Sequence, residues 1–153
     1  MTILKFIEYE PKHQPIFKAL NEEWIAQYFK MEKEDYAALD NPNEKILKPG
    51  GTILMATFND EIIGTCALIK ITEEKYELAK MAIVPKVHGK GFGYQLGLAV
   101  LEKAKTLGAK TVFLESNTIL APAINLYRKL GFVEIPIETS PYERSNIQME
   151  VYF

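Results

Sequence analysis

Apolar and polar positions change rhythm several times along the 153-residue chain, and each rhythm predicts an element. From Thr2 to Tyr9, β-branched and aromatic residues alternate with polar ones closely enough for a first strand, which Pro11 ends. Between His13 and Phe29 the residues Ile16, Phe17, Leu20, Trp24, Ile25 and Tyr28 recur at the spacing of an amphipathic helix. A shorter helix is predicted over Lys33–Leu39, closed by Asn41 and Pro42. Lys48-Pro-Gly-Gly51 then turns the chain into Thr52–Phe58, an apolar run that reads as a buried strand. Asn59 and Asp60 both tolerate positive φ and predict a tight hairpin into Glu61–Ile71. After a turn at Thr72–Lys75, Tyr76–Val84 completes three antiparallel strands.

Beyond Val84 the pattern changes. Gly89–Gly93 is glycine-rich and leads into a helical run, Tyr94–Leu107, that stops at Gly108. Thr111–Glu115 is a short strand, and Ala121–Leu130 a helix with Pro122 in its first turn and Gly131 at its end. Phe132–Ile135 and Ile147–Tyr152 close the pattern as strands around a proline-containing loop. No repeat or linker interrupts it, so residues 1–153 are expected to fold as one mixed α/β domain.

Composition narrows the partners. At 48% hydrophobic and 25% charged the chain is globular, and its net charge of −2 with scattered basic residues predicts neither a nucleic-acid nor a membrane partner. Cys66 is the only cysteine and His13 and His88 the only histidines, so no disulfide and no metal site is expected. Charges at Lys5, Glu8 and Glu10 make the first residues neither a leader nor a span, which predicts a cytoplasmic address.

The chemistry starts at the glycine loop. Gly89-Lys90-Gly91-Phe92-Gly93 lies between a strand and a helix start, where backbone N–H groups can converge and the helix adds partial positive charge. A pyrophosphate is the natural guest, with Lys90 as an added contact; a ligand-free tight turn would use the same residues. No Gly-Lys-Ser/Thr marks a P-loop. The glycines run G-x-G-x-G rather than G-x-G-x-x-G, and the preceding strand follows antiparallel hairpins, which disfavours a nicotinamide-dependent oxidoreductase even though Glu115 ends the next strand.

Three pieces in order carry a family resemblance: the strand Glu77-Leu-Ala-Lys-Met-Ala-Ile-Val-Pro85, the loop His88-Gly-Lys-Gly-Phe-Gly93, and the helix Ala121-x-Ala-x-x-Leu-Tyr127-Arg-Lys-Leu-Gly-Phe132. The chain resembles the GNAT superfamily of N-acetyltransferases. The resemblance implies a single-domain GNAT fold: a mixed, mostly antiparallel sheet of about seven strands with about four helices. The sheet would be splayed between the fourth and fifth strands, here after Ile83. Acetyl-CoA would be the co-substrate, without a metal, and its acetyl group would pass to a primary amine by direct attack. The pantetheine arm would lie along Met81, Ala82 and Ile83, and the pyrophosphate at His88, Gly89, Lys90, Gly91, Phe92 and Gly93, with Tyr94 at the helix start. Tyr127 matches the family's proton donor to the departing thiolate. Two positions depart from the pattern. His88 stands where arginine or glutamine is usual, and Leu120 where an asparagine often precedes the tyrosine, a role that Asn117 can take.

An alkyl amine with a pKa near 10 must lose a proton before it attacks, so a base is needed. Glu77, on the cofactor strand, is the first candidate, at a distance from the loop that resembles the histone-acetylating branch; an exposed charge paired with Lys75 would be its plain role. Glu115 is the second, where the branch that acetylates a ribosomal-protein N-terminus keeps its base. Tyr127 can equally be a core aromatic, and Asn117 a helix cap. Trp24, Tyr28 and Phe29 are expected in the core or a pocket wall, and Tyr142 and Arg144 at the edge of the acceptor pocket. The acceptor itself, whether small amine or peptide, is left open, as is a homodimer; a non-catalytic acyl-CoA-binding sensor of the same fold is the rival reading.

Overall fold

The computed structural model describes residues 3–153, so Thr2 of the expected first strand lies outside the described residues. The strands are β1 (Leu4–Glu8), β2 (Thr52–Phe58), β3 (Glu61–Lys70), β4 (Lys75–Ile83), β5 (Thr111–Ser116), β6 (Val133–Ile135) and β7 (Ile147–Tyr152). They form one sheet in the order β1-β2-β3-β4-β5-β7-β6. Only the β4–β5 pair is parallel. Four α-helices, α1 (Gln14–Tyr28), α2 (Lys33–Asp40), α3 (Phe92–Thr106) and α4 (Ala121–Lys129), cover the sheet, with shorter helical turns at Pro11–His13, Asn43–Leu47 and Pro85–Val87.

Side-chain alternation sorts the two cores. Along β2, Leu54 and Ala56 face a large core completed by Leu96, Val100 and Ala104 of α3 and by Ile124 of α4. Ile53 and Met55 face a smaller core with Phe17 of α1 and Ala38 and Leu39 of α2. Helices on both faces explain why the central strands read as continuous apolar runs. Asn59 (φ 53°) and Asp60 (φ 66°) make the expected hairpin.

The parallel pairing is short. It runs from Lys75 opposite Thr111 to Glu77 opposite Phe113 and then stops, so the sheet opens after Glu77 rather than after Ile83. The reason lies in β4. Its register against β3 passes from Ala67–Ala79 to Thr65–Ala82, which leaves one extra residue on β4. Lys80 marks the place with φ 53°. A bulge of this kind bends its strand. Here it brings Leu78 and Met81 to the same core, turns Lys80 to the opposite face, and carries the rest of β4 away from β5.

Lys80 is a lysine in a buried place, 7% exposed, and Asp35, at 0%, answers it from α2. Lys80 Nζ donates to Asp35 Oδ1 at 2.7 Å and to the Tyr142 hydroxyl at 3.0 Å. Arg144 donates to both Asp35 oxygens at 2.6 and 2.7 Å, so the C-terminal loop is clasped onto α2. Burial pushes the Asp35 carboxyl up, but Arg144 and then Lys80 outweigh it and hold the pKa at about 2. That stabilisation is therefore present above the ordinary value of 3.8 and is lost as pH falls through about 2. Asp35→Asn, which strands the buried Lys80 ammonium and leaves the half-buried Arg144 with Glu32 alone, is expected to cost about 3–5 kcal/mol in urea unfolding at neutral pH, with Lys80→Met in the same chain recovering part of it. A loss below about 1 kcal/mol would show the cluster to be dispensable.

Candidate active site

Where β4 and β5 part, a cavity of about 190 Å³ opens. Its floor is Glu77–Met81 of β4 and Glu115–Asn117 at the end of β5; Leu120, Ala123 and Tyr127 form one wall. The other wall is Trp24 and Phe29 from the end of α1, with Tyr142 and Arg144 from the C-terminal loop. Both candidate bases and the candidate acid therefore meet on one space.

Glu77 sits in this floor, and its carboxylate has no hydrogen-bond partner among the described residues. Burial, reinforced by the Glu115 charge and opposed by Lys80, raises its pKa to about 7. Lys75 is not its partner, because Lys75 pairs with Glu150 at 2.7 Å. Glu115 is anchored instead, accepting from Gln148 Nε2 at 3.0 Å. The Tyr127 ring packs edge-on against Phe132 with centroids 6.0 Å apart, and its hydroxyl has no hydrogen-bond partner among the described residues. Burial first, and the neighbouring Cys66 second, push the phenol pKa well above its usual value, so the hydroxyl keeps its proton.

The glycine loop lies at the far end of β4. Gly89 (φ 84°) and Gly91 (φ 79°) adopt the left-handed conformation that favours glycine, and Gly91 caps α3. The N–H groups of Gly89, Lys90, Gly91, Phe92, Gly93 and Tyr94 find no acceptor among the described residues. A Cβ placed at Gly89 or Gly91 would meet nothing within 4 Å, so the space on the side-chain side of these two residues is open, and it is the backbone conformation that favours glycine there. Unpaired amides in succession at the start of a long helix suit a diphosphate. The side chains around them have other tasks. Phe92 packs on Phe58 at 4.8 Å, leaving only its N–H for a ligand, and Tyr94 carries the Lys129 ammonium on its ring at 4.3 Å. His88 folds back so that Nε2 lies 2.8 Å from the Ile83 carbonyl oxygen. It occupies a main-chain acceptor on the stretch of β4 that has no β5 partner.

The sequence profile described as "Acetyltransferase (GNAT) family" matches residues 15–132, a stretch containing the bulged strand, the amide loop and Tyr127. The chain belongs to the GNAT family of acetyltransferases. An uncharacterized N-acetyltransferase of Escherichia coli, YjgM, is 32% identical over 100 residues, which make up 63% of this chain and 60% of that protein's own length. Among solved structures, a GNAT-family acetyltransferase from Staphylococcus aureus superposes with a TM-score of 0.87 at 21% identity, covering 98% of this chain and 99% of that one. A Bacillus subtilis acetyltransferase in complex with CoA gives 0.76 at 22% identity, covering 99% of both. At these identities the superpositions establish the fold. Among the described residues, no helix of this GNAT chain is long and apolar enough to cross a membrane.

Asn117 lines the cavity, but its side chain is committed at both ends: Nδ2 donates to the Arg144 carbonyl at 2.7 Å and Oδ1 accepts from Ile119 N at 2.9 Å. It braces the C-terminal loop rather than capping α4, whose N-cap is Leu120. Tyr28, expected in the core or a wall, is 51% exposed and borders a smaller cavity beside Pro85 and His88. Sequence reasoning missed Lys80 as a lining residue and Gln148 as the anchor of Glu115, and it read Asp35 as one of several acids that could attract a cationic amine, whereas Asp35 is spent on Lys80 and Arg144. One signal was present: Lys80 stands between the apolar residues Leu78, Ala79, Met81 and Ala82, and a lysine buried among them needs an anion.

Proposed function

We propose that this chain is an acetyl-CoA-dependent N-acetyltransferase that acts on a primary amine by direct attack, and that residues 1–153 work as one catalytic domain. The observation that carries the reading is the early parting of β4 and β5, which puts Glu77, Tyr127 and the unpaired edge of β4 on one cavity. Acetyl-CoA supplies the acetyl group as a thioester. The loop amides from Gly89 to Tyr94 hold the diphosphate, and the main chain of Met81, Ala82 and Ile83 offers the pantetheine arm a strand edge, where His88 must release the Ile83 carbonyl for that group to take part. Glu77 takes a proton from the incoming ammonium, since a base with a pKa near the working pH is the effective one. The amine nitrogen then bonds to the acetyl carbon while the carbon–sulfur bond breaks, and Tyr127 gives its proton to the leaving sulfur. The products are an N-acetyl amide and free CoA thiol; the nitrogen gives one proton to Glu77 before attack and its second to solvent as the amide forms, Tyr127 has lost one to the sulfur, and solvent resets both side chains.

Acetyl-CoA at about 100 times its dissociation constant should stabilise the fold by roughly 2.7 kcal/mol, read as a rise in Tm. Gly91→Asp should abolish the rise, because the new carboxylate strains a left-handed position and repels the diphosphate. A wild-type Tm unmoved by millimolar acetyl-CoA sinks the proposal. A normal rise without thiol release from any amine would instead make the chain a sensor.

A further inference from the structure

The cleft distributes its charges unevenly. Its two cations already have charged partners: Lys80 has Asp35, with the Tyr142 hydroxyl beside it, and Arg144 has both Asp35 oxygens and Glu32 at 3.4 Å. Its two free-facing carboxylates do not. The Glu77 carboxylate has no hydrogen-bond partner among the described residues, and the Glu115 carboxylate has only the one from Gln148. Facing them is an aromatic wall. The Trp24 indole N–H is turned onto Asn21 Oδ1 at 3.1 Å, so the ring offers the cavity carbon surface. Phe29 stands beside it. The Tyr142 ring lies 4.6 Å from the Arg144 guanidinium and 4.7 Å from the Lys80 ammonium, which fixes it in place.

From this juxtaposition we infer the acceptor's class, resting on the transferase reading above: a primary amine carried on an aromatic body, with no carboxylate close to its nitrogen. The ammonium is drawn to the unpaired Glu77, and the ring stacks on Trp24 and Phe29. An α-amino acid would bring its carboxylate against Glu77 and Glu115 with no free cation to receive it. Diverting Lys80 or Arg144 would strip Asp35 of its partners in a fully buried place, which is a poor exchange. A polyamine would match the acids but leave the aromatic wall unused.

The test uses a matched pair, 2-phenylethylamine and phenylalanine, which differ by the carboxylate alone, with spermidine as a third acceptor. With saturating acetyl-CoA and thiol release as the readout, kcat/KM for 2-phenylethylamine is expected to exceed that for phenylalanine by roughly 10²-fold, the penalty for facing like charges. Trp24→Ala should raise KM for 2-phenylethylamine roughly tenfold while changing it little for propylamine. Phe29→Ala serves in its place if Trp24→Ala loses the acetyl-CoA-induced rise in Tm. Phenylalanine or spermidine used as well as 2-phenylethylamine overturns the inference and leaves the transferase reading standing. Equal losses on propylamine and 2-phenylethylamine overturn it as well. Absence of turnover with every amine, despite acetyl-CoA binding, overturns both.

Discussion

Tyr127→Phe is expected to lower turnover by roughly 10²–10⁴-fold, the range for losing a general acid, while acetyl-CoA still raises Tm as in the wild type. The substitution removes one oxygen and keeps the ring that packs against Phe132. Because that oxygen bonds to nothing among the described residues, folding stability should change by less than about 1 kcal/mol. A purely structural tyrosine predicts the opposite pattern, a less stable protein whose folded fraction turns over normally. Burial and Cys66 both favour the protonated phenol, so the wild-type rate should show no alkaline decline from Tyr127 in the neutral range. Single-turnover thiol release separates this step from product release. Unchanged single-turnover rates would remove Tyr127 from the mechanism.

Most of the fold was legible because local chemistry and tertiary context agree. Thr52–Phe58 and Ile147–Tyr152 are strands with the predicted bounds, and Asn59–Asp60 turns as its residue types demand. The differences arise where the signal is not local. α3 begins at Phe92, two residues before Tyr94, because its first turn is built on Gly91 in the left-handed conformation rather than on a polar cap. The opening after Glu77 depends on a bulge, and nothing in the β4 segment besides Lys80 announces one. In a regular strand Lys80 would share the face of Leu78; the bulge and Asp35, 45 residues earlier, let it turn away. A pair so distant in sequence has no periodicity to read.

The same limit applied to the site. Glu77, Glu115 and Tyr127 were found from motif positions, and the fold brings all three to one cavity. Their environments were out of reach. That Glu115 is tied to Gln148 while Glu77 is free, or that Asn117 spends its amide on the C-terminal loop, depends on β7 and the loop before it closing over β5. Tyr142 and Arg144, expected at the edge of an acceptor pocket, line the cavity where β4 and β5 part, and their bonds to Asp35 and Lys80, which hold them there, had no signal in the sequence.

Glu77→Gln should lower turnover by roughly 10²–10⁴-fold at neutral pH and erase the acidic limb of the rate profile, whereas Glu115→Gln should leave that limb in place. The groups that face Glu77 decide the shape of the limb. Glu115 on β5 adds negative charge, Lys80 on β4 adds positive charge already neutralised by Asp35 of α2 and shared with Tyr142, and Arg144 is held by Asp35. Burial is the largest influence, and the outcome is a carboxyl raised to about 7. The wild-type kcat/KM should therefore climb with pH and level off above about 7, as the carboxylate becomes able to accept a proton. Stability should move the other way. A carboxyl raised from 4.5 in the unfolded chain to about 7 in the folded one stabilises the fold below 4.5, and the contribution is lost as pH rises through about 7. Wild type should thus lose stability between those values, and Glu77→Gln, which carries no charge to bury, should not. These two readouts, one kinetic and one thermodynamic, have a common cause in a single proton. If Glu115→Gln abolishes the limb and Glu77→Gln spares it, the base is on β5. If the stability slope vanishes in Glu77→Gln while the rate limb stays, Glu77 is a buried acid without a catalytic task, and the amine arrives already neutral into a site that contributes positioning.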